Sequence, residues 1–98
     1  MLFILRFTDK PGLASVRQDH LSAHIEWLAE HQEVIKVAGS LRLDLETVPL
    51  GALWIVEAAS KLEVESVFQS DPFWRNGLRQ SVEILHWSKA FPDLQVAV

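Results

Sequence analysis

The chain contains no cysteine, which excludes disulfides, thiolate metal ligands and cysteine nucleophiles together. No apolar run approaches the length needed to span a bilayer, and the first residues carry no signal-peptide pattern. The expectation is a cytoplasmic protein with no membrane partner. Basic residues form no run and the formal net charge is −4 at pH 7, so nucleic acid is not an expected partner either. Internal repeats, low-complexity tracts and linkers are missing too, which leaves one domain over residues 1–98.

What remains is rich in apolar and aromatic surface. Hydrophobic residues make up 49% of the chain and charged ones 22%, the balance of a folded domain. Four tryptophans need walls to pack against. A chain this short buries only a modest fraction of its surface and gains from a partner.

Residues Leu2 to Phe7 read as a strand, and Thr8-Asp9-Lys10-Pro11-Gly12 as a turn. From Leu13 to Gln32 the spacing is helical, with Leu21, Ile25 and Leu28 at i, i+4 and i+7 as the core face. Val34 to Leu43 reads as a second strand with a bulge or close approach at Gly39. Asp44 to Leu50 is a loop, and Ala52 to Ala58 a third strand. Ser60 and Glu63 form a capping box that opens a second helix, with Leu62, Val67 and Phe68 turned to the core and an end near Gln69 or Ser70. Asp71-Pro72 begins a short turn closed by Gly77, Gln80 to Trp87 is the last strand, and Ser88 to Val98 is a tail. The order β-α-β-β-α-β predicts a ferredoxin-like α+β sandwich.

Side chains alternate across a strand, so Val82, Ile84 and His86 oppose Glu83, Leu85 and Trp87, and Leu53 and Ile55 oppose Trp54 and Val56. Two helices cover one face of a four-stranded sheet. The other face is apolar as well and needs a cover. A second copy packed by a twofold axis supplies it, which predicts a homodimer. The alternative cover is the tail folded back.

On the first helix His20, His24, Trp27 and His31 form a stripe about a quarter turn from the leucine face, at the border of a cleft. Histidine suits proton transfer near neutral pH. A His20/His24 pair lacks the third ligand that a zinc site needs, so no metal and no cofactor is expected, and His20 and His31 read as helix-surface residues. Asp71 before Pro72 is what an N-cap looks like; its carboxylate also suits pairing with a histidine, one oxygen capping and the other pairing. Arg17, seven residues before His24, is either an anion ligand or a solvated arginine. Asp9 lies near the cleft mouth, where turn chemistry alone accounts for it.

Met1-Leu2-Phe3-Ile4, Asp9-Lys10-Pro11, Val16-Arg17, Ala23-His24-Ile25-Glu26-Trp27-Leu28, Ala38-Gly39-Ser40-Leu41, Gly51 to Ala58, Asp71-Pro72-Phe73 with Gly77-Leu78, and Ser81-Val82-Glu83-Ile84 with Trp87 occur in an order that resembles the YciI-like (YCII-related) family. The resemblance implies a dimeric α+β barrel and a His–Asp pair falling on His24 and Asp71. It implies lyase, dehydrochlorinase or isomerase-like chemistry on a small ring compound. Relatives often carry Arg-Pro where this chain has Leu21-Ser22, and Arg-Pro-Trp where it has Leu85-His86-Trp87. That removes a charge an anionic substrate would use, with His86 as a replacement near the sheet edge.

Two functional readings follow. In one, His24 is a general acid/base oriented by Asp71, with Arg17 and Asp9 as substrate-binding groups and Trp27, Trp54, Trp74 and Phe73 as apolar walls. In the other the pocket only binds a small ligand, or the dimer docks on a larger enzyme, and His24 and Asp71 lie too far apart to bond.

Overall fold

The computed structural model describes all of residues 1–98. Strand β1 (Leu2–Asp9) leads into helix α1 (Ala14–Glu30), then β2 (Ile35–Leu41), β3 (Gly51–Glu57) and helix α2 (Lys61–Val67). A single 3-10 turn (Phe68–Ser70), the short helix α3 (Pro72–Arg75) and β4 (Arg79–Trp87) complete the chain. The four strands form one antiparallel sheet in the order β2-β3-β1-β4. This is the expected ferredoxin-like α+β arrangement.

Alternation in β1 decides which face the helices cover. Phe3, Leu5 and Phe7 are buried, and their cross-strand partners Val56, Trp54 and Ala52 are buried with them. Fully burying one such side chain stabilises the fold by roughly 1.5–3 kcal/mol. The opposite face presents Leu2, Ile4 and Arg6 from β1 beside Trp87, Leu85 and Glu83 from β4. Arg6 and Glu83 form an ion pair at the middle of that face, each about half exposed.

Helix α1 departs from its expected orientation. Only His24 and Trp27 are buried on it, while Leu21 and Ile25 are 43% and 56% exposed. Larger aromatic surface wins the inner stripe: the Trp27 ring meets Trp54 at 5.7 Å and its indole N–H donates to the Ser70 hydroxyl at 3.0 Å. His31 ends the helix, its ring stacked on Trp27 and its Nδ1–H donating to the Trp27 carbonyl at 2.7 Å.

The Ser60 cap forms as expected, its hydroxyl accepting the Glu63 N–H. The Glu63 carboxylate reaches one residue further back, to the Ala59 N–H. Leu62, expected in the core, is 75% exposed, because starting the helix at Lys61 sets Val64 and Phe68 four apart on the buried side. Gly39 is not a point of close approach, since nothing lies within 4 Å of an added Cβ. The tight position is Gly51, where a Cβ would run into the carbonyl of Phe7 on the paired strand. The register shift of β2 falls between Ile35 and Val37.

The tail reaches one end of the open face. Phe91, Leu94 and Val96 form a groove there with Leu2, Val37, Ile55 and Trp87. Phe91 stays 72% exposed and Val96 69%, so the tail does not seal that face.

Candidate active site

Two short-range signals place the aspartate. Its side chain caps α3, accepting the Phe73 N–H at 3.1 Å, with Pro72 at the first helical position. The 3-10 turn and the left-handed Gly77 (φ 75°) then hold α3 against α1, which brings Asp71 to His24. His24 Nδ1 lies 2.7 Å from Asp71 Oδ1. Both side chains are buried, the aspartate completely.

One oxygen performs both tasks that the sequence suggested two would share. Oδ1 caps and pairs, whereas Oδ2 is buried without any partner. A carboxylate only accepts, so the Nδ1–H donates to it, and Nε2 is left as the basic nitrogen. The ring is clamped flat on Phe73, centroids 4.0 Å apart at 15°. Orientation and tautomer are therefore held by separate contacts.

A cavity of about 240 Å³ adjoins this histidine. Its apolar wall comes from Leu21, Ile25 and Leu28 of α1 together with Ala38, Ala52 and Trp54 of the sheet. The leucine face expected to enter the core thus lines the cavity instead. Its polar wall comes from His24, Ser40, Arg17, Arg42 and Arg79.

Asp9 ties two of those arginines together. Its Oδ2 accepts from Arg17 at 2.6 Å and its Oδ1 from Arg79 at 2.7 Å. The guanidiniums of Arg17 and Arg79 lie 5.1 and 5.2 Å from the centre of the Phe73 ring, the ring that also carries His24. Arg17 and Asp9 are therefore coupled to each other and, through Phe73, to the histidine. Arg79 Nε is buried and has no acceptor.

Asp9, Trp27 and Phe73 do not line this cavity, contrary to the expectation for them; both Asp9 oxygens are taken up by the two arginines. Trp27 is drawn inward by Ser70 and Trp54, and Phe73 is sandwiched between the imidazole and the guanidiniums. Of the four aromatic walls expected, Trp54 alone lines the cavity; Trp74 packs edge-on against Phe68 at 4.6 Å. His86 lies elsewhere as well, with its ring 4.5 Å from Phe3. His20 stays on the helix surface, and no three His, Asp or Glu side chains cluster as metal ligands. Sequence reasoning missed Arg79 and Arg42. The first needed the strand order, since Arg79 meets Asp9 only because β4 pairs with β1. The second needed the true end of β2 at Leu41, which turns Arg42 into the loop.

Residues 1–88 match the model of the YCII-related domain. Among solved structures, the chain is similar to a 5-chloro-2-hydroxyhydroquinone dehydrochlorinase from Burkholderia phenoliruptrix, determined in complex with 2,5-dihydroxybenzoquinone. The identity is 34% and the TM-score 0.80, over 90% of this chain and 94% of that one. A protein from Bacteroides thetaiotaomicron, assigned to the antibiotic biosynthesis monooxygenases, shares the fold. It has 16% identity and a TM-score of 0.59, over 99% of this chain and 95% of the other. A protein from Agrobacterium tumefaciens does so as well, with 16% identity and a TM-score of 0.56, over 97% and 100% of the two chains. No curated protein matches the sequence.

Proposed function

The chain belongs to the YCII-related domain family, and from that premise we propose that it is a small-molecule enzyme in which His24 serves as general acid/base and Asp71 orients it. The observation that carries the reading is the 2.7 Å contact between His24 Nδ1 and a fully buried Asp71 carboxylate, with the imidazole on a cavity wall. The other ring nitrogen makes no hydrogen bond within the chain, so it is free to take a proton from a bound molecule. In an elimination the electron pair of the broken bond to hydrogen forms the new double bond and expels the leaving group as an anion. His24 keeps the proton until solvent removes it.

The dehydrochlorinase among the similar structures supports this reaction class, and a cavity of about 240 Å³ suits a single-ring substrate. Arg17 lines the cavity, and Asp9, outside the lining, holds its guanidinium in position. Trp27 and Phe73 back the site from within, holding the histidine and its helix in place. A binding-only protein was expected to hold His24 and Asp71 too far apart to bond, and their contact counts against that alternative.

The second apolar face of the sheet supports a homodimer assembled as an α+β barrel. The test of the chemistry is chloride release from 5-chloro-2-hydroxyhydroquinone and related ring compounds. Wild-type turnover that His24→Ala abolishes, with its circular dichroism unchanged, is the expected result; undiminished turnover in that variant overturns the role of His24.

A further inference from the structure

Three guanidiniums line the cavity, and one carboxylate answers two of them. Arg17 and Arg79 share Asp9, whereas Arg42 has no carboxylate within ion-pair distance. Arg42 is solvent-exposed, and two hydrogen bonds orient it. Its Nη2 donates to the Ser40 hydroxyl at 2.8 Å and its Nη1 to the Leu45 carbonyl at 3.3 Å, and Ser40 lines the cavity beside it. A guanidinium has five N–H donors, so these two bonds leave donors unspent. Across the cavity Arg79 keeps a buried Nε with no acceptor.

A cleft with surplus charge of one sign concentrates ligands of the other. The apolar wall of Leu21, Ile25, Ala52 and Trp54 offers a ring no hydrogen bonds, so polar discrimination falls to the arginine side. We infer that the cavity selects small ring compounds bearing an ionised oxygen, a phenolate, enolate or carboxylate, and that Arg42 is the residue that reads this charge. The inference rests on the reading of this cavity as the substrate site, and it assigns the β2–β3 loop a role in specificity. On the helix side of the same cavity Leu21 is uncharged and Arg17 is already paired with Asp9, so the uncommitted positive group comes from the loop.

Binding measures this independently of turnover. Quenching of tryptophan fluorescence, with Trp54 on the cavity wall, reports affinity for benzoate against benzamide. The same measurement compares 2,5-dihydroxybenzoquinone, ionised at neutral pH, with its uncharged dimethyl ether. The expected result is a preference of at least about tenfold for the charged member of each pair. Arg42→Gln reduces it to within about threefold while affinity for the neutral members stays put. A preference confined to one pair narrows the anion to carboxylate or to phenolate and supports the inference for that class. Absence of binding by either anion, no preference in the wild type, or a preference that survives Arg42→Gln each overturns it. If the preference is found but His24→Ala leaves turnover intact, the catalytic reading falls and the charge selection stands; the converse pattern separates them the other way.

Discussion

Asp71 Oδ1 accepts from His24 Nδ1 at 2.7 Å and from the backbone N–H of Phe73 at 3.1 Å, so one atom joins the start of α3 to the middle of α1. The two duties separate by substitution. Asparagine caps a helix about as well as aspartate but brings no negative charge to the imidazole. Asp71→Asn is expected to cost little stability while lowering turnover by about a hundredfold or more. Asp71→Ala removes the cap and strands a buried imidazole donor, which together cost roughly 2–4 kcal/mol. Urea unfolding and kcat measured on both variants give the comparison. Full activity in the asparagine variant is incompatible with an orienting role for the carboxylate.

Asp9 predicts a graded series. Its carboxylate serves Arg79, whose side chain is 1% exposed, and Arg17, whose side chain is 18% exposed. Removing the shared partner leaves a buried guanidinium without its counter-charge, a loss of about 3 kcal/mol or more. Asp9→Asn is therefore expected to destabilise more than Arg17→Gln, because solvent reaches the Arg17 site and softens the change. Denaturant midpoints rank the variants; an Asp9→Asn protein as stable as the wild type rules out a structural clamp.

The fold was legible where signals are local. The apolar run Leu2 to Phe7 marks a strand, Ser60 and Glu63 mark a helix start, and Asp71-Pro72 marks another. Periodicity also found the correct stripes of α1, but not which one turns inward. It favoured Leu21 and Ile25, whereas the buried pair is His24 and Trp27. What reverses the choice is a carboxylate 47 positions away in the chain and a serine 43 away, neither of which changes the local pattern. Arg79 was invisible for a related reason: its partner is fixed by strand order. The His24–Asp71 pair itself came from resemblance and not from spacing, since a capping aspartate and a helix histidine are each ordinary alone.

Gly51 on the central strand β3 and Gly39 on the edge strand β2 make a paired test. An alanine Cβ at Gly51 collides with the Phe7 carbonyl, which belongs to the backbone of the neighbouring strand and cannot rotate away. Relief requires β1 and β3 to separate, at a cost of about 1–3 kcal/mol or more. At Gly39 the same atom meets nothing, and alanine also lowers the entropy of the unfolded chain by a few tenths to about 1 kcal/mol. Gly51→Ala is expected to lower the melting temperature by several degrees, while Gly39→Ala leaves it unchanged or raises it. Equal effects at both positions contradict the register of β1 against β3.

The proposed dimer rests on the face that the helices leave bare. Ile4 pairs with Leu85 and Leu2 with Trp87 across β1 and β4, and Leu85 and Trp87 remain 48% and 40% exposed. The tail adds apolar surface without covering theirs, since Phe91, Leu94 and Val96 are each more than half exposed. In a twofold dimer Arg6 and Glu83, now paired within one chain at 53% exposure each, meet their opposite numbers as a self-complementary patch. The wild type is expected to sediment at twice its 11.1 kDa chain mass at micromolar concentration. Leu85→Glu places a second carboxylate beside Glu83 on the proposed contact face, where burying it costs several kcal/mol, yet it disturbs little within one protomer because the position already faces outward. A folded monomer is the outcome expected of that variant. A wild type that sediments as a monomer leaves the bare face to water and removes the physical reason for the barrel.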